Sequence, residues 1–89
     1  MKINYLPTFI KDIKGLKSTA SYSVIKNFAF RDILTVQNFS EINNLKKLKG
    51  EYDAYRVRIG DYRIGLFFEE NVITFARVLH RREFYRYFP

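Results

Sequence analysis

The chain has 89 residues, 47% of them hydrophobic, and its sixteen Lys and Arg against nine Asp and Glu give a formal net charge of +7. That length makes one domain near the small end of what buries a self-sufficient core, and the lack of cysteine beside a single histidine excludes a disulfide frame and a thiolate or zinc site. The charge excess favours an anionic partner, nucleic acid first and an acidic protein second, while the absence of any apolar run long enough for a signal peptide or a membrane span points to a cytoplasmic protein with no membrane partner.

Residues 2–6 alternate weakly and read as a first strand, ended by Pro7. Thr8 is placed to cap a helix over 9–18, where Ile10, Ile13 and Leu16 recur with a helical period. A break at Ser18 and Thr19 precedes a longer helix over 21–36, whose Tyr22, Ile25, Phe28, Ala29, Ile33 and Val36 form one stripe. From Ser40 a short helical turn is expected, with Ile42, Leu45 and Leu48 on one side, Lys46, Lys47 and Lys49 near the other, and Gly50 as its stop.

From Ala54 the period changes to 2. Tyr55, Val57 and Ile59 face one way and Arg56 and Arg58 the other, and Gly60-Asp61 turns the chain into a strand with Tyr62, Ile64, Leu66 and Phe68 opposite Arg63, Gly65 and Phe67. Glu69-Glu70-Asn71 forms the next turn, and 72–80 is apolar on both faces, as a central strand should be. Phe84 and Phe88, four apart, anchor a terminal helix. Residues 1–89 are thus a single α+β domain. Its small, mainly antiparallel sheet has the order β-α-α-β-β-β-α, with the N-terminal helices packed on one face.

The cations are segregated. All eight lysines lie between Lys2 and Lys49, and seven of eight arginines lie from Arg56 onward. Lysine suits solvated faces, whereas the arginine fork grips phosphate oxygens in pairs. Strand parity clusters Arg56, Arg58 and Arg63 on one sheet surface, either as a solvated hairpin face neutralised by Asp53, Asp61 and Glu69 or as a phosphate-binding floor. His80 is the side chain type that exchanges protons near neutral pH; at a strand end it is either structural or part of a group with Arg81, Arg82 and Tyr85 that stacks a base and pairs its phosphate. Tyr85 and Tyr87 are either members of that group or core-flanking residues like Phe84 and Phe88. Parity leaves the direction of Arg77 open. A Gly-rich phosphate loop, an HExxH pair and a Ser-His-Asp set are all missing, so neither a cofactor nor a metal is expected.

Four segments carry a resemblance: Y-x-P-x-F-x-K-D-I-K-x-L from Tyr5 to Leu16, L-K-x-L-K-G from Leu45 to Gly50, Y-R-V-R-I-G-D-Y-R-I-G from Tyr55 to Gly65, and R-V-L-H-R-R-E-F-Y-R from Arg77 to Arg86. In this order the chain resembles the RelE/ParE superfamily of toxins from type II toxin–antitoxin pairs, and most of all its RelE-type branch. The resemblance implies a small antiparallel sheet with two N-terminal helices on one side. It also implies an mRNA endoribonuclease acting in the ribosomal A site by ribose 2′-OH attack without metal. The family's functional positions fall on Arg56 and Arg58, on Arg63 and Arg81 as stabilisers of the phosphorane, on Tyr85 as the tyrosine that orients or protonates, and on His80 as the proton-transfer group. Lys46, Lys47, Lys49, Arg82 and Arg86 would add contacts to the RNA backbone. Relatives carry lysines where this chain has Arg56 and Arg58, and Lys46 and Lys47 stand where another branch keeps a glutamate base. The partners implied are mRNA, the ribosome and a cognate acidic antitoxin. A ParE-like toxin directed at DNA gyrase is the alternative, and a toxin that only binds its antitoxin is a third.

Overall fold

A computed structural model describes residues 1–50 and 53–89. Among these the chain forms five strands in one sheet of order β1-β5-β4-β3-β2, with three α-helices. β1 (Lys2–Tyr5) runs parallel to β5 (Val72–His80), pairing Ile3 with Ile73 and Tyr5 with Phe75. The β5–β4, β4–β3 and β3–β2 ladders are antiparallel. The architecture is the α+β arrangement that the sequence pattern gives. None of the described helices is long and apolar enough to cross a membrane.

Pro7 starts α1 (Pro7–Lys14) because its fixed φ suits the first helical position and its missing N–H would have had no partner there. Thr8 therefore sits inside the helix rather than capping it, and its hydroxyl donates to the Ala76 carbonyl at 2.7 Å. α2 (Tyr22–Phe30) stops earlier than its apolar stripe suggests. Arg31, at φ −130° and ψ −61°, breaks it, and a 3₁₀ turn over Asp32–Thr35 carries on, keeping Ile33 in the core at 1% exposure.

The helical turn expected from Ser40 is corrected. Only Phe39–Glu41 forms a 3₁₀ turn, and Leu45–Lys47 is β2, an edge strand on β3 (Ala54–Ile59). The segment is too short, and interrupted by Asn43 and Asn44, to stand as a helix on its own, whereas the free edge of β3 offers its backbone a ladder. Asn44, at φ 62°, redirects the chain into that ladder.

β3 and β4 (Tyr62–Glu69) form a hairpin through Gly60 at φ 57°, and Glu70 and Asn71, at φ 51° and 62°, make the turn into β5. The main core lies between the sheet and the two N-terminal helices. Phe9, Ile25, Ala29, Ile64, Leu66, Ile73 and Phe75 are fully buried there. A smaller core forms on the opposite face, where Phe84 and Phe88 of the segment around α3 (Phe84–Tyr87) cover Ala54 and Ala76, flanked by Leu48, Phe67 and Leu79.

Candidate phosphate-binding face

The face that carries α3 is the one that strand parity assigns to the arginines. Arg58 lies directly opposite Arg63 across β3 and β4, and Arg56 lies between Lys46 of β2 and Gly65 of β4, with Arg77 of β5 next in the row. Two like-charged pairs therefore face each other across ladders, an arrangement that costs stability. The Arg63 guanidinium donates to the carbonyls of Gly60 and Tyr62, at 3.1 Å each, and Arg56 donates to the Asn44 carbonyl at 2.8 Å. These bonds leave both side chains with donors to spare.

The electrostatics of Arg63 shows which groups share its surroundings. Burial and the charges of Arg56, Arg58 and Arg81 hold its pKa below the ordinary arginine range, and the Tyr85 phenol acts in the opposite sense. Arg63 is thus the centre of a set that includes both β3 arginines, Arg81 from the turn after β5, and Tyr85 from α3. Arg81 also anchors that turn, since its N–H donates to the Asp61 carbonyl at 2.7 Å. Its side chain lies 3.9 Å from the Asp61 carboxylate, an exposed pair of small energetic weight.

Tyr85 is 63% exposed. It lines one side of a groove of about 390 Å³ whose other walls are the 46–49 segment, Lys47 included, with Phe88 and Pro89. The alternative left by periodicity is decided in part: Phe84 and Phe88 are core, and Tyr85 and Tyr87 are surface. The lysines separate by parity. Lys46 shares the arginine face, while Lys47 pairs with Tyr55 in the ladder, sets its ammonium 5.2 Å from that ring and meets Asp53 at 3.6 Å. Arg82, just before α3, and Arg86, within it, are exposed.

His80 is not brought into this set. It pairs with Tyr62 in the β4–β5 ladder and meets that ring edge-on at 5.5 Å. Tyr62 and Arg63 are consecutive in a strand and point to opposite faces, so His80 lies on the α1 side. There it lines a groove of about 350 Å³ with Lys11, Asp12, Leu16, Tyr62 and Glu83. Its Nδ1 accepts the Arg82 N–H at 3.2 Å, which ties down the turn after β5.

Sequence reasoning missed a second cluster. Arg77 donates from Nε and Nη2 to both oxygens of Asp12, at 2.7 and 3.1 Å, and Asp12 also accepts the Val78 N–H at 3.1 Å. That bonding to Asp12 raises the Arg77 pKa further above its ordinary value. The same guanidinium lies over the Tyr87 ring, 5.7 Å from its centre. A signal was available, because Asp12 is the single carboxylate among the first 31 residues, set amid lysines and four residues from Thr8 on the same helix face.

The family model described as the ParE toxin of the type II toxin–antitoxin system parDE matches residues 3–85. The chain is 39% identical to toxin RelE3 of Methanocaldococcus jannaschii over 93 aligned positions, which span both proteins in full. A chain of the RelB–RelE antitoxin–toxin complex from Methanococcus jannaschii overlays with a TM-score of 0.68 at 32% identity, covering 97% of this chain and 99% of that one. A chain of the E. coli DinJ–YafQ complex overlays with a TM-score of 0.74 over 94% and 97%, but at 15% identity it speaks for the fold alone.

Proposed function

The chain belongs to the ParE toxin family of type II toxin–antitoxin systems, within the RelE/ParE superfamily, and from that membership we propose that it is a metal-independent endoribonuclease cleaving mRNA on translating ribosomes. The observation that carries this reading is the opposition of Arg58 to Arg63, extended by Lys46 opposite Arg56. Like charges so placed repel, and a polyanion is the partner that turns their repulsion into binding.

In the proposed reaction a ribose 2′-oxygen attacks the adjacent phosphorus and loses its proton. The bond to the 5′-oxygen breaks, and that oxygen gains a proton as it leaves, giving a 2′,3′-cyclic phosphate and a 5′-hydroxyl. Negative charge grows on the non-bridging oxygens, where fixed cations lower the barrier most. Arg63 and Arg81 take that role, while Arg56, Arg58, Lys46, Lys49, Arg82 and Arg86 hold the flanking backbone. Lys47, on the other side of β2, is a weaker candidate for that contact.

A guanidinium stays protonated and cannot serve as a base. We therefore assign proton transfer, or the orientation of the reacting oxygens, to Tyr85, the titratable side chain set among these cations. His80, on the opposite face, is left outside the reacting group. Such a toxin acts in the cytoplasm, where ribosomes are, and needs a restraint. An acidic antitoxin that covers the basic face fits the charge, and the RelB–RelE antitoxin–toxin complex, whose toxin is 32% identical to this chain, supports that partner.

The family description names ParE, so inhibition of DNA gyrase without RNA cleavage is the second reading. Primer extension on mRNA after induced expression separates the two. New 5′ ends with the wild-type chain and none with Arg63→Ala are expected. Growth arrest with intact mRNA and blocked supercoiling would replace the first reading with the second.

A further inference from the structure

The two sides of the molecule are joined at one place, the outer edge of β5. β1 pairs with β5 only through Val72–Phe75, so the edge of residues 76–80 has no strand beside it. α1 serves in its place. The Thr8 hydroxyl donates to the Ala76 carbonyl, and the Asp12 carboxylate accepts the Val78 N–H. Arg77 stands between these contacts, gripped from the α1 side by Asp12 and faced from the α3 side by Tyr87.

α3 needs such a tie. It has four residues, too few to hold together by its own hydrogen bonds. Glu83, the residue just before it, supplies no side-chain cap. Phe84 and Phe88 fix its depth on the sheet, with Phe88 seated on Gly65, but both anchors lie on one side, so the roll of the helix is set finely only by a contact on another side. Residues two apart on a helix point to nearly opposite sides, so Tyr87 on Arg77 and Tyr85 beside Arg63 are set by the same angle of roll.

We infer that Arg77 is a positioning residue: held by Asp12 and covered by Tyr87, it fixes the roll of the terminal helix and thereby sets Tyr85 against the arginine face. The inference rests on the reading of that face as the reaction site. It accounts for a guanidinium that strand parity puts in the row of Lys46 and Arg56 but that is committed to a carboxylate instead of to phosphate. Arg77 itself touches no reacting atom.

The test has two readouts, only one of which requires cleavage. A Cβ at Gly65 would lie 2.7 Å from the Phe88 ring, so the Gly65 protons sit under that ring and carry its ring-current shift. In Arg77→Gln and in Tyr87→Leu, the Gly65 resonances should move toward ordinary glycine positions while those of the main core stay in place. The kcat for cleavage of ribosome-bound mRNA should fall on the order of 10²-fold, with much less change in KM. Tyr87→Phe keeps the ring and should retain both properties. Tyr87 is half exposed, so Tyr87→Leu carries the test if Arg77→Gln does not fold. Unchanged Gly65 resonances in Tyr87→Leu overturn the tie, and shifted resonances with unchanged kcat overturn its link to Tyr85. A wild-type protein that cleaves no RNA would instead sink the reading of the reaction site, leaving the tie to be judged by Gly65 alone.

Discussion

The two faces of this sheet are built on opposite principles. On the helix-covered face, Ile64, Leu66, Ile73 and Phe75 are fully buried against Phe9, Ile25 and Ala29, and among the described residues no polar or charged side chain is buried. On the other face, cation stands opposite cation in two ladder pairs, covered only in part by a four-residue helix. The first face earns its composition through the hydrophobic effect alone. The second keeps an arrangement that folding by itself would remove, and such conflicts with stability concentrate where a protein binds or reacts. Alternating residues of one strand thus answer to different demands.

The sharpest way to test the contrast is to damage each face once. Phe75 is fully buried and packs its ring against Tyr5 and Phe9 with centroids 5.1 Å away in both cases. Phe75→Ala should cost about 3–5 kcal/mol, a large share of the roughly 5–15 kcal/mol typical of a domain's stability, and thermal or denaturant unfolding measures it. Arg63→Ala should lower cleavage by about 10²–10³-fold while stability stays within about 0.5 kcal/mol of wild type or rises. Its guanidinium is held below the ordinary arginine pKa range, so the folded state disfavours the charge that removal takes away. A melting temperature that fell in Arg63→Ala as far as in Phe75→Ala would end the distinction between the faces.

Gly65 lies where the two principles meet, since it is flanked by Arg56 and Arg77 and covered by Phe88. Gly65→Ala would put a methyl group 2.7 Å from that ring, so α3 must lift. Overpacking of this kind costs about 1–3 kcal/mol, less than the Phe75 change, and it should be accompanied by a loss of cleavage as Tyr85 moves with the helix. Wild-type cleavage in Gly65→Ala would separate α3 from the reaction.

How much of this was legible in the sequence depended on whether a residue answers to its own neighbours in the chain or to distant ones. The period-2 run from Tyr55 gave both strands of the hairpin and the shared face of Arg56, Arg58 and Arg63, because alternation in a strand is a local rule. The stretch from Ser40 misled. Leu45 and Leu48 have helical spacing, yet with Leu45 in β2 and Leu48 just past its end they fall on opposite faces, Leu45 toward the main core and Leu48 toward the smaller one. A partner strand decided that, and tertiary context overrode local pattern. Arg77 could not be placed because β5 is apolar on both faces and its parity breaks at the irregularity opposite Gly65 and Leu66. Its partner Asp12 lies 65 positions away, beyond the reach of any periodicity.

His80 carries the smallest expected effect and the finest test of the contrast. In sequence it stands beside Arg81 and Arg82, which makes it look like part of a basic reactive group. In the fold its neighbours are Tyr62 and the α1-side groove, and its Nδ1 accepts the Arg82 N–H. An alanine there loses one hydrogen bond in an exposed turn, and both the arginine set and Tyr85 stay where they are. His80→Ala should therefore cleave mRNA within about threefold of wild type, the equivalent of a surface change of about 0.5 kcal/mol. Any limb of the wild-type pH–rate profile near neutrality should survive in the variant, since an imidazole on the far face cannot be its source. A loss of 10²-fold or more, within the range of about 10²–10⁴-fold that general acid–base catalysis contributes, together with disappearance of such a limb, would bring His80 back into the reaction. It would also mean that RNA reaches around the end of β5 to both faces at once, and that the division between a stabilising face and a reactive one stops at the last residue of that strand.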